Sequence, residues 1–209
     1  MITNTLFYRD AVYRLVANQD TDDYNDSMRL RSHSKRVEFR SAMAKQWQDV
    51  KDVIEFLKNL GIDPVVVGGL AVQHYGYERL TEDIDVLIDR ESYDQLVNTG
   101  EVYQGRLTAF SDFDVDVLTE GEENENNPDP SVVRLRNTNL PTFEGLMYLK
   151  LNAGRLKDQS DIVELIKHKK FDPAVKKTVV TFLKRVNQDL ILDFESLWNI
   201  AEAEGSKRH

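Results

Sequence analysis

The segment Asp83-Ile84-Asp85-Val86-Leu87-Ile88 sets two carboxylates two residues apart in an aliphatic run, and Asp114-Val115-Asp116-Val117 repeats the arrangement later in the chain. Side chains alternate across a strand, so each pair of aspartates shares a face while the aliphatic residues oppose it. Aspartate is a poor strand former, and like charges on one pleated face repel. A cation between them is the simplest compensation. With no cysteine in the chain and no histidine cluster near these strands, ligation would be by oxygen alone, which points to a hard divalent ion, Mg2+ or Mn2+.

Upstream, Val65-Val66-Val67 runs directly into Gly68-Gly69. A glycine pair behind a strand is, on its own, most often a tight turn. Beside a carboxylate-held Mg2+ it acquires a second use, because backbone N–H groups at a helix start hold phosphate oxygens and the ion neutralises charge on a transferred phosphoryl group. Together these residues suit phosphoryl or nucleotidyl transfer. Lys150, followed by Arg155 and Lys157, is available for phosphate oxygens that the metal leaves uncompensated.

The elements that must position these groups are legible in outline. Met43, Trp47, Val50, Ile54 and Leu57 recur at helical steps from Ser41, with Gly61 where a helix-terminating glycine belongs. A buried strand at 65–67, a helix at 70–77 and a strand at 83–88 follow. A short helix is expected at 91–97, neighbouring strands at 106–110 and 113–118, and a last strand at 132–136. Beyond Pro141 the pattern is helical: 143–153, 158–168, 173–186 with Asp172 as N-cap and Pro173 in the first turn, and 188–203. The expected class is α+β, a mixed sheet flanked by helices and followed by a C-terminal helical bundle. The expected divisions are an N-terminal extension at 1–40, a core at 41–140 and a helical domain at 141–209.

Charge is unevenly spread over the 209 residues, whose formal net charge is -9. Residues 51–149 carry 20 acidic and 7 basic side chains (-13), whereas 150–187 carry 10 basic and 4 acidic (+6). An acidic block commonly serves solubility alone, but here it contains the paired aspartates, and the basic block follows it. The absence of cysteine excludes disulfide frameworks, thiolate zinc sites and cysteine nucleophiles. No apolar run approaches the roughly 20 residues that span a bilayer, and the start, MITNTLFYRD, has no signal-peptide pattern. A cytoplasmic protein without membrane partners is the expectation.

The string VVVGGLAVQHYGYERLTEDIDVLID resembles the signature of the nucleotidyltransferase (DNA polymerase β-like) superfamily: a strand, a glycine pair, a spacer and Asp-x-Asp on a strand. Arg79-Leu80-Thr81-Glu82-Asp83-Ile84-Asp85 is similar to the R-x-T-x-D-I-D of minimal members, among them lincosamide and aminoglycoside nucleotidyltransferases and abortive-infection toxins of the AbiEii type. LMYLKLNAGRLKDQSDIVELI resembles the helical segment of the same proteins. The likeness covers residues 62–168.

The resemblance implies that Gly68 and Gly69 bind a nucleoside triphosphate and that Asp83 and Asp85 hold Mg2+ (or Mn2+). It puts the third carboxylate at Asp116, with Asp114 as the close alternative, and Lys150 among the nucleotide contacts. Asp158 and Asp161 fall on the family's acidic pair, and serve equally well as helix-capping acids. Arg79 is open between phosphate and a neighbouring carboxylate. The implied activity is transfer of NMP from an NTP to a hydroxyl of a tRNA, protein or small molecule, with release of pyrophosphate. A toxin-type enzyme with a cognate antitoxin protein falls within that reach. The rival is a catalytically inactive relative that serves as a binding or antitoxin module.

Other residues carry weaker signals. His74 and His33 are each more readily structural or solvated than functional. Tyr75, Tyr77, Tyr93 and Tyr103 suit base stacking but more often pack a core. The loop Glu120–Glu125 is a solvated connection or a lid.

Overall fold

The computed structural model describes residues 46–110, 112–121 and 127–206. The readings that fall on 1–40, His33 among them, on the start of the expected helix at 41–45 with Met43, and on the loop residues 122–125 lie outside these residues. The chain separates into Met1–Gln48 and Asp49–His209, and every element below belongs to the second unit.

Residues 49–59 are helical (α1), burying Val50, Val53 and Leu57. The buried stripe thus runs through Val53 rather than Ile54, and Gly61 at φ +81 ends the turn that follows. Next come β1 (Val65–Val66), α2 (Gly68–His74), β2 (Asp83–Ile88) and α3 (Arg90–Thr99). Asp89 caps α3 by accepting from Ser92 N, and Gly100 closes it in the left-handed conformation. After α3 the chain forms a hairpin, β3 (Val102–Tyr103) and β4 (Arg106–Leu107), and then β5 (Asp114–Thr119). The hairpin turn is Gln104-Gly105, both at positive φ, which matches the right-handed twist of the flanking strands.

The sheet is five-stranded and mixed, in the order β1-β2-β5-β4-β3. β2 and β5 are parallel; β1–β2, β4–β5 and β3–β4 are antiparallel. Parallel neighbours need a crossover, and α3 with the hairpin supplies it. β2 and β5 are central, so Ile84, Val86, Ile88, Val115 and Val117 are buried behind the aspartates.

Four longer helices complete the unit: α5 (Phe143–Ala153), α6 (Leu156–His168), α7 (Pro173–Val186) and α8 (Ile191–Ser206), the last preceded by a 3-10 turn at Gln188–Leu190. Asp172 and Pro173 start α7 as expected. Val65, Val67, Ala71 and Leu87 from the sheet side share one buried cluster with Leu146, Met147, Ile162, Leu165, Val179, Leu183, Phe194 and Trp198. Each fully buried side chain of this kind contributes about 1.5–3 kcal/mol. The boundary expected at residue 140 therefore runs through a shared core.

Several elements differ from expectation. Val132–Arg136 is not a strand: Pro130–Val133 is a short helix (α4), because Asp129 accepts from Ser131 N and Pro130 occupies the first turn. Arg134 then forms an isolated bridge to Pro141. Strand 106–110 shortens to β4, and β3 was not expected. Helix α2 starts at Gly68 and α6 at Leu156, each two residues earlier than read. Among the described residues no helix is long and apolar enough to cross a membrane.

Candidate functional site

The parallel pairing of β2 with β5 sets Asp83 opposite Asp114 and Asp85 opposite Asp116. All four side chains thereby share one sheet face. Carboxylate oxygens of Asp83, Asp85 and Asp116 lie within 4.8 Å of one another. Asp114 stands outside this group, half exposed and ion-paired to Arg106. Of the two alternatives for the third carboxylate, Asp116 is the one the fold gathers with Asp83 and Asp85.

Burial pushes the Asp85 carboxyl up to about 6; Asp83 and Asp116 add repulsion, and Lys150 and Lys157 offset part of it. Thr81 Oγ1 donates to Asp83 Oδ1 at 2.7 Å and fixes that carboxylate. Three clustered carboxylates, one of them half-buried and shifted against its ordinary ionisation, match the all-oxygen donor set of a hard divalent cation.

Gly68 and Gly69 lie against this cluster. Gly68 has φ +58, and a Cβ there would overlap Asp85 Oδ2; at Gly69 a Cβ would stand 2.5 Å from Thr81 Oγ1 and 3.0 Å from Arg79 Nη2. The turn needs glycine because the backbone runs directly over side chains of the site. Helix α2 has only seven residues, so its dipole adds little and any phosphate contact would rest on local N–H groups.

One cleft contains Gly68, Gly69, Arg79, Thr81, Asp83, Asp85, Lys150, Arg155 and Lys157. Lys150, expected to meet phosphate, is buried with its ammonium donating to Asp158 Oδ1 at 2.6 Å and Asp161 Oδ2 at 2.8 Å. Gly154, left-handed at the end of α5, reverses the chain and brings the first turns of α6 under Lys150. Burial pushes the Asp158 carboxyl up, but Lys150 and then Arg155 outweigh it and hold it below the ordinary carboxylate range. Asp158 is thus a buried ion-pair partner rather than a helix cap. Arg79 Nε lies 3.0 Å from Asp161 Oδ1, an ion pair at an angle that leaves this N–H without a hydrogen bond.

The remaining candidates separate. Tyr75 donates to Pro141 O and packs on Phe143; burial, then Glu144, pushes its hydroxyl up to about 12. Tyr77 packs against the core, Tyr93 lies under Arg90, and Tyr103 is exposed on the hairpin. His74 is exposed and touches only the Tyr75 ring among the described aromatic contacts. Sequence reasoning missed Thr81 and Arg106. Thr81 was signalled by its place two residues before Asp83, and Arg106 by the Gln-Gly hairpin turn that sets it opposite β5.

Comparison with protein-family models and with curated proteins finds no match.

Proposed function

We propose that this chain is a metal-dependent nucleotidyltransferase that moves NMP from an NTP to an acceptor hydroxyl. The observation that carries the reading is the Asp83–Asp85–Asp116 cluster, two of whose members, Asp83 and Asp85, line a cleft together with the Gly68-Gly69 turn, Arg79, Arg155 and Lys157. The mixed sheet with its glycine turn and two aspartate-bearing central strands accords with the resemblance to the nucleotidyltransferase superfamily.

Asp83, Asp85 and Asp116 would hold Mg2+ or Mn2+, which when bound offsets the negative charge of the triphosphate and of the phosphoryl group in transfer. Gly68 and Gly69 let the turn lie directly against Asp85 and Thr81, where any side chain would collide with them, and would offer their backbone N–H groups to the triphosphate. Lys157 and Arg155 line the same cleft and would meet its outer oxygens. Lys150 acts one step removed: it anchors Asp158 and Asp161, and these hold Arg155 and Arg79 at the cleft wall. In the transfer the acceptor oxygen bonds to the α-phosphorus and the bond to the bridging oxygen of the β-phosphate breaks. Pyrophosphate leaves with that electron pair; the acceptor proton passes to the Asp116 carboxylate where Asp116 serves as base, and to solvent where Asp116 instead binds the ion.

The acceptor classes consistent with this site are a tRNA, a protein or a small molecule, and a toxin-type enzyme in the cytoplasm with an antitoxin partner belongs to the first two. The experiment is incubation of the full chain with each α-labelled NTP, Mg2+ and cell extract, with label sorted into RNA, protein and small molecules. Label in one fraction, lost in Asp83→Asn with Asp85→Asn, is the expected result. No label in any fraction, or label that survives the double substitution, overturns the proposal.

A further inference from the structure

We propose that Arg106 competes with the divalent ion for Asp116, and that Asp114 retains Arg106 when the ion binds. The inference rests on the cation site proposed above and concerns how that site is loaded.

Arg106 on β4 lies directly opposite Asp116 on β5. Its Nε donates to Asp116 Oδ1 at 3.1 Å and its Nη1 to Asp114 Oδ1 at 2.9 Å. One guanidinium thus bridges a carboxylate inside the metal cluster and another outside it. Asp114 and Asp116 are two residues apart on one strand face, so a rotation about the terminal side-chain bonds releases Asp116 while the bond to Asp114 persists. The backbone need not move, since the tight Gln104-Gly105 turn fixes the register of β4.

The strength of the contact suits this role. The Arg106, Asp114 and Asp116 side chains are 55%, 58% and 32% exposed, and exposed ion pairs are weak enough to yield to a divalent ion. They are not negligible, because the ion must displace a charge-assisted hydrogen bond before Asp116 becomes its ligand. Cation affinity is therefore lower than three free carboxylates would give. Asp114, which does not join the cluster, has a defined use as the site to which the guanidinium withdraws.

The test is Mn2+ binding by the full chain, read by electron paramagnetic resonance of the free ion and so independent of activity. Arg106→Met is expected to bind Mn2+ about three- to tenfold more tightly than wild type. In an Asp116→Asn background the same substitution is expected to give no gain. Arg90→Met, which removes equal charge from α3, is expected to stay within about twofold. Arg106→Lys, which keeps the charge and loses the fork, is expected to fall between wild type and Arg106→Met. Wild-type affinity in Arg106→Met, or a gain that persists in the Asp116→Asn background, overturns the inference and leaves the cation site standing. Absence of saturable Mn2+ binding by the wild-type chain overturns both.

Discussion

The carboxylate of Asp85 lies against the backbone of Gly68 so closely that a Cβ at residue 68 would overlap Oδ2. Gly68 also has φ +58. Gly68→Ala is therefore expected to destabilise the protein by about 1–3 kcal/mol, from steric overlap and backbone strain together. Adding Asp85→Ala removes the overlap but not the strain, so the double variant should be less destabilised than the sum of the singles. Urea denaturation of the four proteins in this cycle measures it, and strict additivity would show that the two residues do not meet.

Asp85 also contributes to the pH response of the metal-free protein. Its folded value of about 6 lies above the ordinary 3.8, so the folded state binds this proton more readily than the unfolded state. The sign follows: this group's contribution to stability is greatest below pH 4 and is lost as pH rises through 6. Asp85→Asn removes that dependence and raises thermal stability at pH 7 to 8. Divalent ions compete with the same proton, so Mn2+ affinity should weaken as pH falls below about 6. Melting curves and Mn2+ titrations between pH 5 and 8 check both.

Lys150 is expected to matter for stability more than for phosphate. Lys150→Met leaves Asp158 and Asp161 buried without their shared ammonium, at a cost of about 3–5 kcal/mol. Arg155→Ala removes a half-exposed partner of Asp158 and should cost about 1 kcal/mol or less. The depressed Asp158 value works opposite to Asp85: its contribution is present above the ordinary carboxylate range and is lost as pH falls through its lower folded value. Denaturant midpoints of both variants at pH 7 test the ranking.

Because Val65, Val67 and Leu87 are buried with Leu146, Ile162 and Trp198, a fragment ending at residue 140 should expose its sheet and fail to fold. Trp198→Ala in the intact chain is expected to cost about 3–5 kcal/mol and to lower the unfolding midpoint of the whole unit. Separate transitions for sheet and helices by calorimetry would contradict a common core.

The strands carrying Asp83, Asp85 and Asp116 were legible because a period of two brackets each aspartate with aliphatic residues. Helices 143–153 and 173–186 were legible from their apolar spacing and the Asp172-Pro173 start. Two-residue strands such as Val102–Tyr103 have no period to read, and Val132–Arg136 imitates alternation until Asp129-Pro130 caps it as a helix. The place of Lys150 was hidden for another reason. Nothing in its own segment reveals that Gly154 turns Asp158 and Asp161 back beneath it, so a cation suited to phosphate is instead consumed by two buried carboxylates. Arg106 depended likewise on a pairing partner that only the sheet register identifies.

The parallel register of β2 and β5 has an evolutionary corollary. All of α3 and the hairpin lies between these two strands in sequence, yet the aspartates are aligned by strand pairing and not by the length of the intervening segment. That insert can be lengthened, shortened or recoded without misplacing Asp83, Asp85 or Asp116, provided the strands still pair. It is a cassette beside a fixed centre, and sequence divergence would accumulate there first.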